Sequence, residues 1–199
     1  MKLEAKNIYF RYSGNKSWIL ENVSLEIYPG EVVGLVGTSG RGKSTLGKIL
    51  AGQVCPQGGE VLLDGRKLAA KTFSPVQLIY QHPELAVNPK WKMAKTLQEA
   101  GEYDEGLRRD MGIRDEFLNR WPNELSGGEL QRICVMRALK PMTRFIIADE
   151  ISTMLDVLTQ SQIWDIILDY AQKNNIGILA ITHNKHLAKA ICSRTILLD

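Results

Sequence analysis

Apolar and polar positions change rhythm several times along this chain, and each change predicts an element. Leu3–Phe10 reads as a strand, and Val23, Leu25 and Ile27 alternate with polar residues as on a half-buried antiparallel strand. Tyr28-Pro29-Gly30 reads as a turn. Val32–Val36 is apolar without interruption, the pattern of a strand covered on both faces. Residues 43–51 continue as a helix, and residues 61–63 with Asp64-Gly65 form another short strand and turn. Across residues 82–120 the texture is polar, charged and poor in β-branched side chains, which predicts a helical insertion. Residues 127–139 carry Leu130, Ile133, Cys134 and Ala138 at helical spacing. Beyond them, residues 145–148, 177–181 and 195–198 read as strands separated by helices at 160–172 and 186–191. Strands alternating with helices in this way predict right-handed βαβ units.

Composition narrows the class. The chain has 199 residues, 44% hydrophobic and 24% charged, enough for one domain with a real core and a modest insertion. Its net charge of +3 comes from interleaved signs without a Lys/Arg block, so nucleic acid is not expected as a partner. Cys55, Cys134 and Cys192 are widely spaced and form no CxxC pair, which argues against a zinc site or a disulfide framework and for buried thiols in a reducing compartment. The opening Met-Lys-Leu-Glu-Ala-Lys lacks an apolar signal core, and the longest apolar runs are too short to cross a bilayer. The expected location is the cytoplasmic side, with any membrane association made peripherally through a partner.

The chemistry begins where the buried strand ends. Gly37-Thr38-Ser39-Gly40-Arg41-Gly42-Lys43-Ser44 fits G-x-x-x-x-G-K-[ST] between a predicted strand and helix. Small residues let consecutive N–H groups turn inward around an anion, and the helix adds its positive end. Lys43 is expected at the β- and γ-phosphates of ATP, the Ser44 hydroxyl on Mg²⁺, and Thr45 at the α-phosphate. A second apolar strand ends in Asp149-Glu150. An acid at a strand's carboxyl end faces the ligand crevice of an open α/β sheet. Asp149 is the expected holder of the Mg²⁺ shell and Glu150 the general base for the attacking water.

Leu125-Ser126-Gly127-Gly128-Glu129 supplies another anion site at a helix start, one more than a single nucleotide needs. This stretch resembles the LSGGQ/LSGGE signature of the ATP-binding cassette (ABC) family. The resemblance covers almost the whole chain, in family order. It implies a P-loop ABC-ATPase fold of the α/β class, with a mostly parallel core sheet, an N-terminal antiparallel β subdomain and an inserted helical subdomain. The implied division is one domain, residues 1–81 and 140–199 forming the core and 82–139 the helical subdomain with the signature. It also implies head-to-tail dimers, in which Ser126, Gly127, Gly128 and Glu129 cap the γ-phosphate on the other subunit's P-loop. Tyr12 lies where the family stacks an aromatic on adenine, although Tyr9 and Phe10 are close by. Gln81 resembles the Q-loop glutamine that contacts Mg²⁺ and water, Asp156 the D-loop aspartate that reaches the opposite subunit, and His183 the switch histidine near the γ-phosphate. Ile151, Met154 and Asn184 depart from the family's usual proline, alanine and aspartate.

Residues 81–89, Gln-His-Pro-Glu-Leu-Ala-Val-Asn-Pro, resemble the Q-D-P-x-x-S-L-N-P segment of ATPase subunits from dipeptide, oligopeptide and nickel importers, with His82 in place of aspartate. Arg120-Trp121-Pro122-Asn123-Glu124 and the sequence from Leu155 to Ile163 resemble the same group. Implied partners are a second ABC ATPase subunit, identical or not, transmembrane permease subunits and an extracytoplasmic solute-binding protein. The chain stops after the last core strand, short of the extension that group often carries, and reads as a minimal or shortened cassette. The alternative is a soluble ABC ATPase without a transport role, although such proteins usually carry paired cassettes, a coiled coil or zinc modules.

Overall fold

The computed structural model describes residues 1–14, 16–68, 74–99, 101–151 and 156–198. They separate into two units, residues 1–78, 144–149 and 175–199 in the first and 79–143 and 150–174 in the second.

In the first unit the alternating segments become an antiparallel sheet. Strands β1 (Leu3–Phe10), β2 (Leu20–Ile27), β4 (Gly58–Leu63) and β5 (Arg66–Lys67) lie in the order β2-β1-β4-β5. Leu3 and Ala5 point inward, and so do Ile8 and Phe10, which are out of phase with them by one residue. A register shift between Ala5 and Ile8 reconciles the two sets, with Asn7 in the left-handed region at φ 50°.

The continuous apolar runs form the other sheet, from β3 (Val32–Val36), β6 (Val76–Ile79), β7 (Phe145–Asp149), β8 (Gly177–Ile181) and β9 (Arg194–Leu197), in the order β6-β7-β8-β3-β9. The pairings β7–β8, β8–β3 and β3–β9 are parallel. Every residue of β7 and β8 is buried, which is why their sequences do not alternate. Helices α1 (Lys43–Leu50) and α7 (Lys185–Ile191) complete this unit. A Cβ on Gly177 would stand 2.5 Å from the Tyr28 carbonyl oxygen and 2.6 Å from the Phe145 ring. Gly177→Ala should therefore overpack the start of β8, costing about 1–3 kcal/mol. A melting curve should show a fall of roughly 3–10 °C.

The second unit is helical: α2 (Met93–Gln98), α3 (Glu105–Asp110), α4 (Asp115–Leu118), α5 (Gly127–Ala138) and α6 (Val157–Asn174). Met93, Leu97, Met111, Ile113, Phe117 and Ile133 are at most 2% exposed and make its core. Arg108 is nearly buried and tied to Glu105, Asp115 and the Ile113 carbonyl. Lys140, also buried, donates to the carbonyls of Leu97, Gly101 and Glu102, and desolvation lowers its pKa.

Several expectations need correction. β6 has no counterpart among the expected strands: Val76-Gln77-Leu78-Ile79 is too short to show a period, and its place comes from lying beside β7. α6 begins three residues before the expected 160, because Asp156 accepts a hydrogen bond from the Thr159 amide and caps it. Residues 150–174 group with the helical unit, where α6 packs on α5. Of the three thiols only Cys134 is fully buried, and desolvation pushes its pKa up to about 12. Cys192 is half-buried and Cys55 is exposed on the loop after α1.

Candidate functional site

β3 runs directly into the glycine-rich loop, and α1 begins at Lys43. Gly40 and Gly42 have φ of 83° and 85°, a conformation that a side chain resists. At Gly42 a Cβ would also press on Ile19 and Leu20 at 2.8 Å. Among the described residues no side chain caps α1, so its first-turn amides keep their positive end open toward the loop. Lys43 is 6% exposed, and its ammonium donates to the carbonyls of Gly37 and Thr38, each at 2.8 Å. Arg41 donates to the Thr38 hydroxyl. The loop is thus a closed ring around its own cation.

Parallel register brings further groups to the same end of the sheet. Asp149 pairs with Ile181, and Ile181 with Leu35, so β7, β8 and β3 end within one residue of each other. The Ser44 hydroxyl donates to Asp149 Oδ1 at 3.0 Å, joining residues 105 apart in sequence. Two adjacent oxygen ligands of an octahedral Mg²⁺, each at about 2.0–2.1 Å, stand roughly 2.9 Å apart, so this pair fits such an ion. Among the described residues no group of three or more His, Cys, Asp or Glu could hold a metal. An ion at Ser44 and Asp149 would complete its shell with water and phosphate oxygens, as Mg²⁺ commonly does. His183 follows β8 and is exposed. The next residue, Asn184, accepts from the amides of His186 and Leu187 and caps α7. Tyr12 is 43% exposed; its ring meets Phe10 edge-on, and its hydroxyl lies 3.2 Å from that of Thr45. Tyr12, whose ring is expected on adenine, and Thr45, expected at the α-phosphate, are therefore bonded to one another through their hydroxyls.

The second unit holds the remaining candidates. Gln81 donates to the Glu150 carboxylate at 3.4 Å. Glu150 has a left-handed backbone, φ 47°, which only glycine adopts without penalty and which turns the chain sharply after the strand. Ile151, standing where the family pattern has proline, is buried. At the signature, Ser126 caps α5. Its hydroxyl accepts from the Glu129 amide, and the Glu129 carboxylate accepts from the Ser126 amide at 2.8 Å. That backbone bond holds the Glu129 carboxyl below the usual carboxylate range. Two of the signature's polar groups are therefore engaged in a capping box, while the Gly127 and Gly128 amides lie outside it. Asp156 is exposed, and the Thr159 amide likewise lowers its pKa. Residues 152–155, the rest of the expected D-loop, lie outside the described residues.

A parallel sheet whose inner strand enters a glycine cradle, with a strand-end carboxylate against the cradle's serine, defines a P-loop nucleotide-binding protein. The sequence profile of the family described as "ABC transporter" matches residues 20–153. The nickel import ATP-binding protein NikE of Rhodospirillum rubrum is 33% identical, over 91% of this chain and 72% of its own length. The dipeptide transport ATP-binding protein DppF of Lactococcus lactis is 34% identical, over 96% and 70%. A dimeric cassette in a post-hydrolysis state, bound to ADP and Pi, superposes with a TM-score of 0.84 at 25% identity, covering 99% of this chain and 94% of that one. The chain belongs to the ABC transporter family and is an ATP hydrolase of that type. Among the described residues no helix is long and apolar enough to cross a membrane.

Proposed function

We propose that this chain is the ATP-binding subunit of an importer and hydrolyses Mg-ATP at a head-to-tail interface between two cassettes. The observation that carries the reading is the grouping of the Lys43 ammonium, the Ser44 hydroxyl and the Asp149 carboxylate around a glycine cradle. Cation, hydroxyl and acid together suit a triphosphate with its metal. Lys43 exchanges its two carbonyl partners for the β- and γ-phosphates, a stronger charge-assisted contact. Thr45 turns from Tyr12 to the α-phosphate, which frees the Tyr12 ring to lie on adenine. Ser44, Asp149 and Gln81 would hold Mg²⁺, which when bound would neutralise charge on the transferring phosphoryl group.

Glu150 takes the proton of the attacking water, and His183 stabilises the γ-phosphate. The second chain's Ser126, Gly127, Gly128 and Glu129 close each site, and Asp156 contacts that chain. The similarity to nickel and dipeptide import subunits supports cargo of that kind, small peptides or nickel chelates. It also supports work through membrane permease subunits at the cytoplasmic face, with a solute-binding protein delivering cargo. With two chains in each site, the ATPase rate per chain should rise with protein concentration and follow the dimer fraction measured by light scattering. Full-rate hydrolysis by a monomer would overturn the shared site.

A further inference from the structure

One side of α5 carries three hydrogen-bond donors at every third residue, and each meets a backbone carbonyl at every third residue of the segment after β6. Gln131 donates its amide to the Tyr80 carbonyl at 3.2 Å. The Cys134 thiol donates to the Pro83 carbonyl at 3.6 Å. Arg137 donates to the Ala86 carbonyl at 2.6 Å. Gln131 and Cys134 are each 3% exposed, so their bonds are shielded from water. The rail begins five residues after Ser126, the cap of the same helix, and its first rung grips the residue before Gln81, whose amide reaches Glu150.

We infer that this rail makes α5 the element that positions Gln81 against Glu150, with Gln131 as the positioning residue nearest the reaction. A helix is stiff along its axis, so a shift at its signature end moves all three donors together. Tyr80 follows through its carbonyl, and the peptide linking it to Gln81 carries the displacement to the amide that touches the Glu150 carboxylate. Closure of a partner on Ser126 would in this way reset the geometry of the group that activates water. The inference rests on the proposed role of Glu150 as base and adds to it the residue that orients the glutamine beside it.

The test is steady-state ATP hydrolysis by the full chain with Mg²⁺. Gln131→Met keeps the side chain's approximate volume and removes the donor. It should lower kcat about tenfold, in line with the sensitivity of catalysis to small misplacements. KM for ATP should stay within about twofold, because that split marks an effect on the chemical step. In a Gln81→Ala background the same change should cost nothing further, since the residue it acts through is gone. An unchanged kcat in Gln131→Met, or an equal loss with and without Gln81, overturns the inference. If Gln131→Met fails to fold, Arg137→Met at the far, part-exposed rung takes its place. It should give a smaller loss confined to kcat, and no change in kcat overturns the proposal. Glu150→Gln assayed in parallel separates the two readings. Normal turnover there removes the base assignment, while non-additivity between positions 81 and 131 still tests the rail.

Discussion

Glu150→Gln should reduce ATP turnover by about a hundredfold to ten-thousandfold, the range expected on losing a positioned general base. The two side chains have nearly the same shape, so the turn that follows β7 should persist with its left-handed φ of 47° at residue 150. An amide accepts no proton at neutral pH. The attacking water would then keep its proton through the transition state, while nucleotide contacts on the P-loop stay intact. Equilibrium binding of ATP should accordingly match that of the parent chain, and slow hydrolysis should let the ATP-bound dimer accumulate. Filter binding and single-turnover measurements check the two halves separately. Near-normal single-turnover rates in the variant would remove Glu150 from the role of base and leave Asp149 or a phosphate oxygen as the proton acceptor.

Lys43→Met should damage binding and chemistry together, which distinguishes it from the first variant. The ammonium is held at 2.8 Å by two loop carbonyls, so it is already oriented when phosphate arrives. Losing a charge-assisted hydrogen bond weakens a complex by roughly 1.5–3 kcal/mol, or about ten- to a hundredfold in ATP affinity. Removing a donor aimed at developing charge lowers the rate by about a further hundred- to thousandfold. The substitution also leaves the Gly37 and Thr38 carbonyls without the cation that joins them, so the loop itself should loosen. Calorimetric titration with ATP reads the affinity, and steady-state hydrolysis at saturating ATP reads the rate. Unchanged affinity would place the nucleotide elsewhere.

Much of the site was legible because its signals are local. A strand buried on both faces shows as five apolar residues, Val32–Val36, and the loop after it needs glycines where the backbone turns against its side chains. The signature helix announces itself through Ser126 and Glu129, three apart, which form the capping box that such a pair predicts. Segments that took their character from neighbours were not legible. β6 has four residues and no period of its own, and Cys55, though of an apolar type, stands exposed on a loop. Asp156 and Thr159 carry the cap signal for the early start of α6, which the apolar pattern farther on outweighs.

By itself the sequence determined the order of elements, the phosphate cradle, the strand-end acids and the family resemblance, since each is encoded in side chains a few residues apart. Only the tertiary structure decided which hydroxyl meets which acid: Ser44 and Asp149 are 105 residues apart and meet through sheet register. It also decided that Glu150 adopts a left-handed turn, that Tyr12 and Thr45 bond each other, and that α5 grips residues 80–86. The donors at positions 131, 134 and 137 can be seen in the sequence as a stripe on one side of a helix. Their acceptors cannot, because every residue carries the same backbone carbonyl, and only the fold selects which of them stand within reach.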